Sequence, residues 1–462
     1  MLPVVALVGR PNVGKSTLFN ALTGTRDALV SDVPGLTRDR KYGYGRHALH
    51  RYIVVDTGGL VESPRGIEQL MAQQTLRAID EADHVVFLVD GQVGIQGPDR
   101  FIADLLRKSG KPVTVAANKC EGRDPDIAVA EFHGFGLGEP QSLSAAHRQG
   151  VDELIDQVFA GRAPPAAEEV ADVNRPIRVC VVGRPNVGKS TLINRLLGEE
   201  RMIASDQPGT TRDSVQVPFE RDGQAYVLVD TAGVRRRAKV EEGLEKWSVI
   251  KTLQAIDDAH VVIGVLDAHE TVAEQDATLL GIVAERGRGL VIAVNKWDHV
   301  SQEQRGDIRS QLAARLRFLD FAPLHFISAL HGSGVGELMH SVRAAHAAAT
   351  RDMPTPELTR VLEAAIRQHQ PPLVRGRRIR LRYAHQGGRN PPVIVIHGSQ
   401  AERTPEDYRR YLVNCYREAF KLQGTPVRVE FRSEDNPFAG RRDKMTPRQR
   451  RTQQHQARRS RR

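Results

Sequence analysis

Short apolar runs alternate along the chain with longer stretches whose apolar residues recur at helical spacing. The runs fall at residues 4–8, 52–55, 84–89 and 112–117, and again at 177–182, 226–229, 260–266 and 290–294. Continuous apolar runs of this length, separated by helix-sized segments, predict strands buried on both faces of doubly wound, mostly parallel sheets. The last quarter has a different rhythm. A helix is expected from Thr355-Pro356, as N-cap and first helical residue, to about residue 370. Strands are expected at 378–384 and 393–397, a helix from Thr404-Pro405 to about 422, and a strand at 427–431. The order α-β-β-α-β describes a small α+β domain. No apolar run reaches the roughly 18 residues of a membrane span, which excludes an integral helical membrane protein.

The alternation is doubled. Gly9-Arg10-Pro11-Asn12-Val13-Gly14-Lys15-Ser16 returns letter for letter as Gly183-Arg184-Pro185-Asn186-Val187-Gly188-Lys189-Ser190, 174 residues later, and a Thr follows each copy (Thr17, Thr191). At the same offset Thr37 returns as Thr211, and Asp56-Thr57-Gly58-Gly59 as Asp230-Thr231-Ala232-Gly233. Asn118-Lys119-Cys120-Glu121 answers to Asn295-Lys296-Trp297-Asp298 at an offset of 177. A period this long, with its internal order kept, means tandem domains rather than a solenoid. The boundaries expected are a first domain at 1–160, a Pro- and Ala-containing linker at 161–176, a second domain at 177–350, a small domain at 351–440 and a basic tail at 441–462, disordered when free.

The repeated octapeptide, set after a strand and before a helix, is a P-loop. Its backbone N–H groups and the following helix N-terminus cradle phosphate. Lys15 and Lys189 then reach the β- and γ-phosphates, and Ser16 and Ser190 hold Mg²⁺. Asp56 and Asp230 open D-x-x-G turns that bring a carboxylate toward the metal. Gly59 and Gly233 can meet the γ-phosphate, and Thr37 and Thr211 occupy the place of a switch residue that closes on Mg²⁺. Asp298 can accept both N–H donors of guanine, a pair that adenine lacks. Ser328-Ala329 fits the loop at the guanine O6. In the first copy Glu121 replaces the Asp, with Ser144-Ala145 following. Either that loop retracts to accommodate the longer side chain, or guanine selection is weaker there.

These motifs, in tandem and followed by a small domain, resemble the bacterial double-Era-like GTPases known as Der or EngA over nearly the whole chain, about 1–440. The resemblance implies two GTP/GDP sites and a KH-like C-terminal domain. It also implies a cytoplasmic, monomeric protein that assists assembly of the large ribosomal subunit through ribosomal RNA, without stable membrane association. The residue after each D-x-x-G is aliphatic, Leu60 and Val234, where Ras-type enzymes carry a water-orienting Gln, so slow intrinsic hydrolysis is expected. Asn12 and Asn186 resemble K⁺ ligands of related GTPases, which implies K⁺-stimulated turnover. Arg235-Arg236-Arg237 is read as a solvated loop, a nucleotide-sensitive RNA contact or an arginine finger in cis.

Composition divides the same chain by charge. The net charge is +10 over 462 residues. Residues 441–462 hold nine Arg and one Lys against one Asp, and 351–440 hold sixteen basic and ten acidic side chains. The first 350 residues are therefore mildly acidic. The basic last quarter points to a polyanionic partner. Arg375, Arg377, Arg378, Arg380 and Arg382 form a strip without an acid, its alternate members on one strand face. No G-x-x-G loop lies between the helices of the small domain, and Gly387-Gly388, between strands, does not replace it, so RNA contact in the usual KH manner is not expected. The three cysteines, Cys120, Cys180 and Cys415, are scattered and form no C-x-x-C pair, which argues for a reducing compartment. Met1-Leu2-Pro3 lacks the basic region of a secretory signal. Two other readings compete. A metabolic P-loop kinase needs no guanine selector. A membrane-surface regulatory GTPase would use the basic tail on anionic lipid, although the tail has no apolar face.

Overall fold

The structure, a computed structural model, describes residues 2–23, 41–48, 50–57, 78–161, 176–198, 216–229, 249–270, 272–374 and 377–433. The expected linker (apart from residues 161 and 176), Arg375 and the tail lie outside these residues. The chain divides into two compact units, Met1–Thr350 with Leu422–Pro426, and Arg351–Lys421 with Val427–Arg462.

The first unit holds two six-stranded sheets. One is built from β1 (Val4–Val8), β2 (Lys41–His47), β3 (His50–Asp56), β4 (His84–Asp90), β5 (Val113–Asn118) and β6 (Gln141–Ser142). Its spatial order is β2-β3-β1-β4-β5-β6, with only β2 antiparallel to its neighbour. Helices α1 (Lys15–Thr23), α2 (Gly97–Ser109), α3 (Pro125–Val129) and α4 (Val151–Val158) connect the strands. The second sheet repeats the plan with β7 (Ile177–Val182), β8 (Val217–Arg221), β9 (Gln224–Leu228), β10 (Val261–Asp267), β11 (Gly289–Asn295) and β12 (Leu324–Phe326). Its order is β8-β9-β7-β10-β11-β12, again with one antiparallel edge. Its helices are α5 (Lys189–Gly198), α6 (Val249–Asp258), α7 (Glu274–Glu285), α8 (Gln302–Arg315) and α9 (Val335–Ala349). Every residue of β1, β4, β10 and β11 is buried, as expected of strands covered on both faces.

The antiparallel edges β2 and β8 did not stand out as apolar runs. Gly43 and Gly45 interrupt β2, and Pro218, Glu220 and Arg221 make β8 half polar. An apolar seam joins β2, β3 and β1 to α6: Val4, Tyr42, Ile53 and Val55 pack with Ile250 and Leu253. Gln254 donates to the carbonyl of Leu2, and the Arg286 guanidinium lies over the Tyr44 ring.

The second unit has the expected α-β-β-α-β order in α10 (Thr355–Gln368), β15 (Arg380–Gly388), β16 (Val393–Ser399), α11 (Glu406–Ala419) and β17 (Arg428–Ser433). A two-stranded ribbon of β13 (Leu373–Val374) and β14 (Arg377–Arg378) precedes the sheet. The strip expected as one strand is thus broken between Arg378 and Arg380. In the sheet, β15 is antiparallel and β17 parallel to the central β16. Leu358, Leu362 and Ala365 of α10 and Tyr408, Leu412 and Tyr416 of α11 are buried.

Both helix starts differ from expectation. Pro354 is the N-cap of α10, and Thr355 is already helical. Pro405 caps α11, because the Thr404 hydroxyl donates to the Ala401 carbonyl of a preceding 3₁₀ turn. Gly387 and Gly388 belong to β15 rather than to a loop, since a Cβ at Gly387 would press on Val395 of the neighbouring strand. Among the described residues no helix is long and apolar enough to cross a membrane.

Candidate functional site

Each P-loop leaves a buried strand, β1 or β7, and turns into a helix, α1 or α5. Asn12 and Asn186 adopt φ of 66° and 64°. Gly14 and Gly188 adopt φ of 96° and 98°, where a Cβ would also collide with the side-chain amide nitrogen of Asn118 or Asn295. In the first loop Lys15 is buried, and its Nζ donates to the carbonyls of Gly9 and Arg10 at 2.8 Å each. Burial pushes its ammonium down to about 8, against the opposing pull of Asp56. In the second loop Lys189 Nζ donates to the Arg184 carbonyl at 2.7 Å. The lysines are folded back onto their own loops, poised to exchange carbonyl oxygens for phosphate oxygens.

Ser16 Oγ donates to Asp56 Oδ2 at 2.8 Å, which brings the P-loop hydroxyl against the carboxylate that ends β3. A hydroxyl and a carboxylate side by side are hard oxygen donors of the kind Mg²⁺ takes. Thr57 Oγ1 donates to the Leu7 carbonyl, fastening the start of the turn to β1. Thr37, Gly58, Gly59, Leu60, Thr211, Asp230, Thr231, Ala232, Gly233, Val234 and Arg235-Arg236-Arg237 lie outside the described residues.

The Asn of each N-K-x-D/E segment is a buried bracket. Asn118 Nδ2 donates to the Val13 carbonyl at 2.8 Å and Oδ1 accepts from the Ala145 amide at 2.9 Å. Asn295 makes the equivalent bonds to Val187 and Ala329, both at 2.9 Å. The two amides therefore tie the P-loop to the Ser144-Ala145 and Ser328-Ala329 loops. The Cys120 amide donates to Leu143 and the Trp297 amide to Ile327, so the selector loops hang identically in both copies. The carboxylate of Asp298 meets the Ser328 hydroxyl, with His299 at 3.0 Å and His331 at 3.5 Å, and these keep it below its usual range. The longer Glu121 is also held below its usual range, first by its own backbone amide, while the buried Ser144 hydroxyl has no hydrogen-bond partner among the described residues.

Four acids went unnoticed in the sequence. Asp90, at the end of β4, accepts from Lys119 Nζ at 2.7 Å, and Asp267, at the end of β10, accepts from Lys296 Nζ at 2.5 Å. Burial works against the charge on both, but the lysine and nearby amides outweigh it and hold both carboxyls low. Lys119 also donates to the Asn12 carbonyl. Beneath the loops, Arg10 donates to Asp99 at 3.3 Å, and Arg184 donates to both oxygens of Asp276 at 2.9 Å. Each of these Asp residues also accepts from the N-cap amide of its helix, Gln96 or Ala273. The signal was present: Asp90 and Asp267, and Asp99 and Asp276, repeat at the same 177-residue offset as the Asn-Lys pair.

Known proteins align with this geometry. Residues 4–119 and 178–296 match a family described as "50S ribosome-binding GTPase". Residues 353–432 match the "KH-domain-like of EngA bacterial GTPase enzymes, C-terminal". A "GTPase Der" of Thioalkalivibrio sulfidiphilus is 58% identical over 452 residues, 97% of each chain. A "GTPase Der" of Halorhodospira halophila is also 58% identical, covering 97% of this chain and 96% of its own. An Aquifex aeolicus Era structure overlays 70% of this chain and 99% of its own at 20% identity, with a TM-score of 0.31.

Proposed function

This chain belongs to the Der family of bacterial GTPases, and from that premise we propose that it acts as a GTP-controlled switch in assembly of the large ribosomal subunit, through contact with ribosomal RNA. It is a P-loop GTPase that binds guanine nucleotide and hydrolyses GTP. The ribosomal reading is carried by one observation: both P-loop segments match a family described as ribosome-binding.

Each of the domains 1–160 and 177–350 takes one nucleotide. The amides of residues 9–17 and 183–191 wrap the phosphates, and Lys15 and Lys189 neutralise them. The carboxylates of Glu121 and Asp298 accept the guanine N–H pair, and the Ser144-Ala145 and Ser328-Ala329 loops meet O6. Ser16, Asp56 and Thr37 would hold Mg²⁺ in one site, and Ser190, Asp230 and Thr211 in the other. The metal, when bound, supplies charge to the β- and γ-phosphate oxygens. Asn12, whose side chain is exposed in its loop, and Asn186 would take K⁺. With Leu60 and Val234 unable to orient water, intrinsic hydrolysis is slow. The nucleotide state sets the position of Thr37 and Thr211, and through them which basic surface of residues 351–462 is presented. The protein works in the cytoplasm as a monomer.

Pull-down of ribosomal particles by Lys15→Ala and Lys189→Ala proteins, with GDP or a non-hydrolysable GTP analogue, tests the switch. Binding should depend on the analogue and weaken in the variants, and hydrolysis should be faster in K⁺ than in Na⁺. Particle binding indifferent to nucleotide would overturn the switch reading, and equal turnover in the two salts would remove K⁺ from it.

A further inference from the structure

The sheet of the small domain carries an aromatic array that the nucleotide chemistry does not use. Residues directly opposite each other across paired strands share a face. The register sets Tyr383 of β15 opposite His397 of β16, which in turn lies beside Arg432 of β17. It sets His385 opposite Val395 and beside Glu430, and Arg380 opposite Ser399. Alternate residues on the other face, Ala384, Ile394, Ile396 and Val429, are buried in the core under α10 and α11. The outer face therefore carries Arg380, Tyr383 and Arg432 exposed, with His385 and His397 half-buried and Val395 buried between them. A register shift between Leu381 and Tyr383 leaves both Arg382 and Tyr383 exposed, and a bulge is a recurrent means of re-aiming a strand side chain.

The rings on this face are already arranged as a stack. Tyr383 and His397 lie with centroids 4.5 Å apart and planes within 3°. His385 continues the array, 5.1 Å from His397 at 29°. Tyr383 keeps 41% of its surface exposed. Glu430 is the one acid among the face residues of β17 and is paired with Arg432 at 4.0 Å.

We propose that this face is a stacking platform for unpaired bases of single-stranded RNA, with Tyr383 and His397 receiving the bases and Arg380 and Arg432 receiving the flanking phosphates. Flat parallel rings accept the face of any base, and arginines beside them meet the backbone charge. The basic balance of residues 351–440 favours a polyanion over a protein helix, which would require a broader aliphatic surface than the half-buried Val393 provides, Val395 being buried. This mode needs no G-x-x-G loop. The proposal rests on the RNA-directed reading above and names the RNA form and the residues that meet it.

The test uses the full-length chain and fluorescence anisotropy with an unstructured RNA of about twelve nucleotides, within the span such surfaces cover, beside a duplex of equal length. Tyr383→Ala should weaken single-strand binding by about tenfold, the scale of one lost base stack, and leave duplex binding unchanged. Tyr383→Phe should restore binding, since the ring and not the hydroxyl is required. GTP hydrolysis and the circular dichroism spectrum should be unchanged in both variants, which establishes that they are folded. Wild-type affinity for the duplex alone, equal losses on both RNAs, or no loss in Tyr383→Ala would overturn the platform, as would failure of the wild-type chain to bind single-stranded RNA at all. The platform and the ribosomal switch can fail separately. Tyr383-dependent RNA binding alongside nucleotide-indifferent particle binding removes the switch and keeps the platform, and the reverse pattern does the opposite.

Discussion

At the scale of single residues, Lys15 shows how burial sets chemistry. Its ammonium is lowered to about 8 by burial in its loop. Pairing with phosphate raises it again, so nucleotide binding takes up a proton above that value. The sign follows: affinity is full below pH 8 and declines as pH rises through it. The first site should lose about fourfold in affinity between pH 7 and 8.5, the change in protonated fraction for such a group. Titration of a fluorescent GDP analogue into Lys189→Ala protein isolates that site, and a flat profile would contradict the account. Lys15 was legible in the sequence as a phosphate ligand. Its charge state was not, because the burial that lowers it, and the smaller, mutually opposing effects of Asp56 and Arg10, arise only on folding. Glu121 is similar: the substitution was visible in the sequence, but only the fold shows that its own backbone amide is what holds its carboxyl low.

At the scale of elements, the two P-loops are identical in sequence but not in anchorage. Arg184 holds both oxygens of Asp276 and also reaches Glu270 at 2.7 Å. Arg10 makes a single 3.3 Å bond to Asp99 and lies 4.0 Å from Asp90, and burial raises the carboxyl of Asp99 despite Arg10. These arginines carry carbonyls that hold Lys15 and Lys189, and the Arg10–Asp99 anchor is the weaker of the two. Asp276→Asn should cost roughly 2 kcal/mol of second-domain stability, and Asp99→Asn clearly less, because a two-point buried pair loses more when one partner is neutralised. Chemical denaturation of the two variants checks the order, and equal losses would refute it. The central strands were legible because burial on both faces leaves an uninterrupted apolar run. The edges β2 and β8 were not, since an edge strand needs only one apolar side and here carries Gly, Pro and charge. The acidic anchors were missed for another reason: an Asp ending a strand or capping a helix has an ordinary local explanation, and only its recurrence at the motif offset sets it apart.

At the scale of the whole molecule, the division of charge was readable by counting, whereas the seam between the two sheets was not. Its residues lie about two hundred positions apart and belong to separate copies of the repeat, and each is an ordinary core residue when viewed locally. The seam should make the two GTPase domains melt as one cooperative unit. Leu253 is 2% exposed within it. Leu253→Asp, which buries a charge among apolar groups, should cost on the order of 3 kcal/mol. Calorimetry should then resolve two transitions where the wild-type chain shows one, and an unchanged single transition would show that the seam does not couple them. The same contact has a bearing on the connection at 161–176. A tether contributes effective concentration rather than contact energy. With the apolar surfaces of Tyr42, Ile53, Ile250 and Leu253 joined directly, the two switches meet each other much as the subunits of a heterodimer do, with the connection adding proximity to a contact already made.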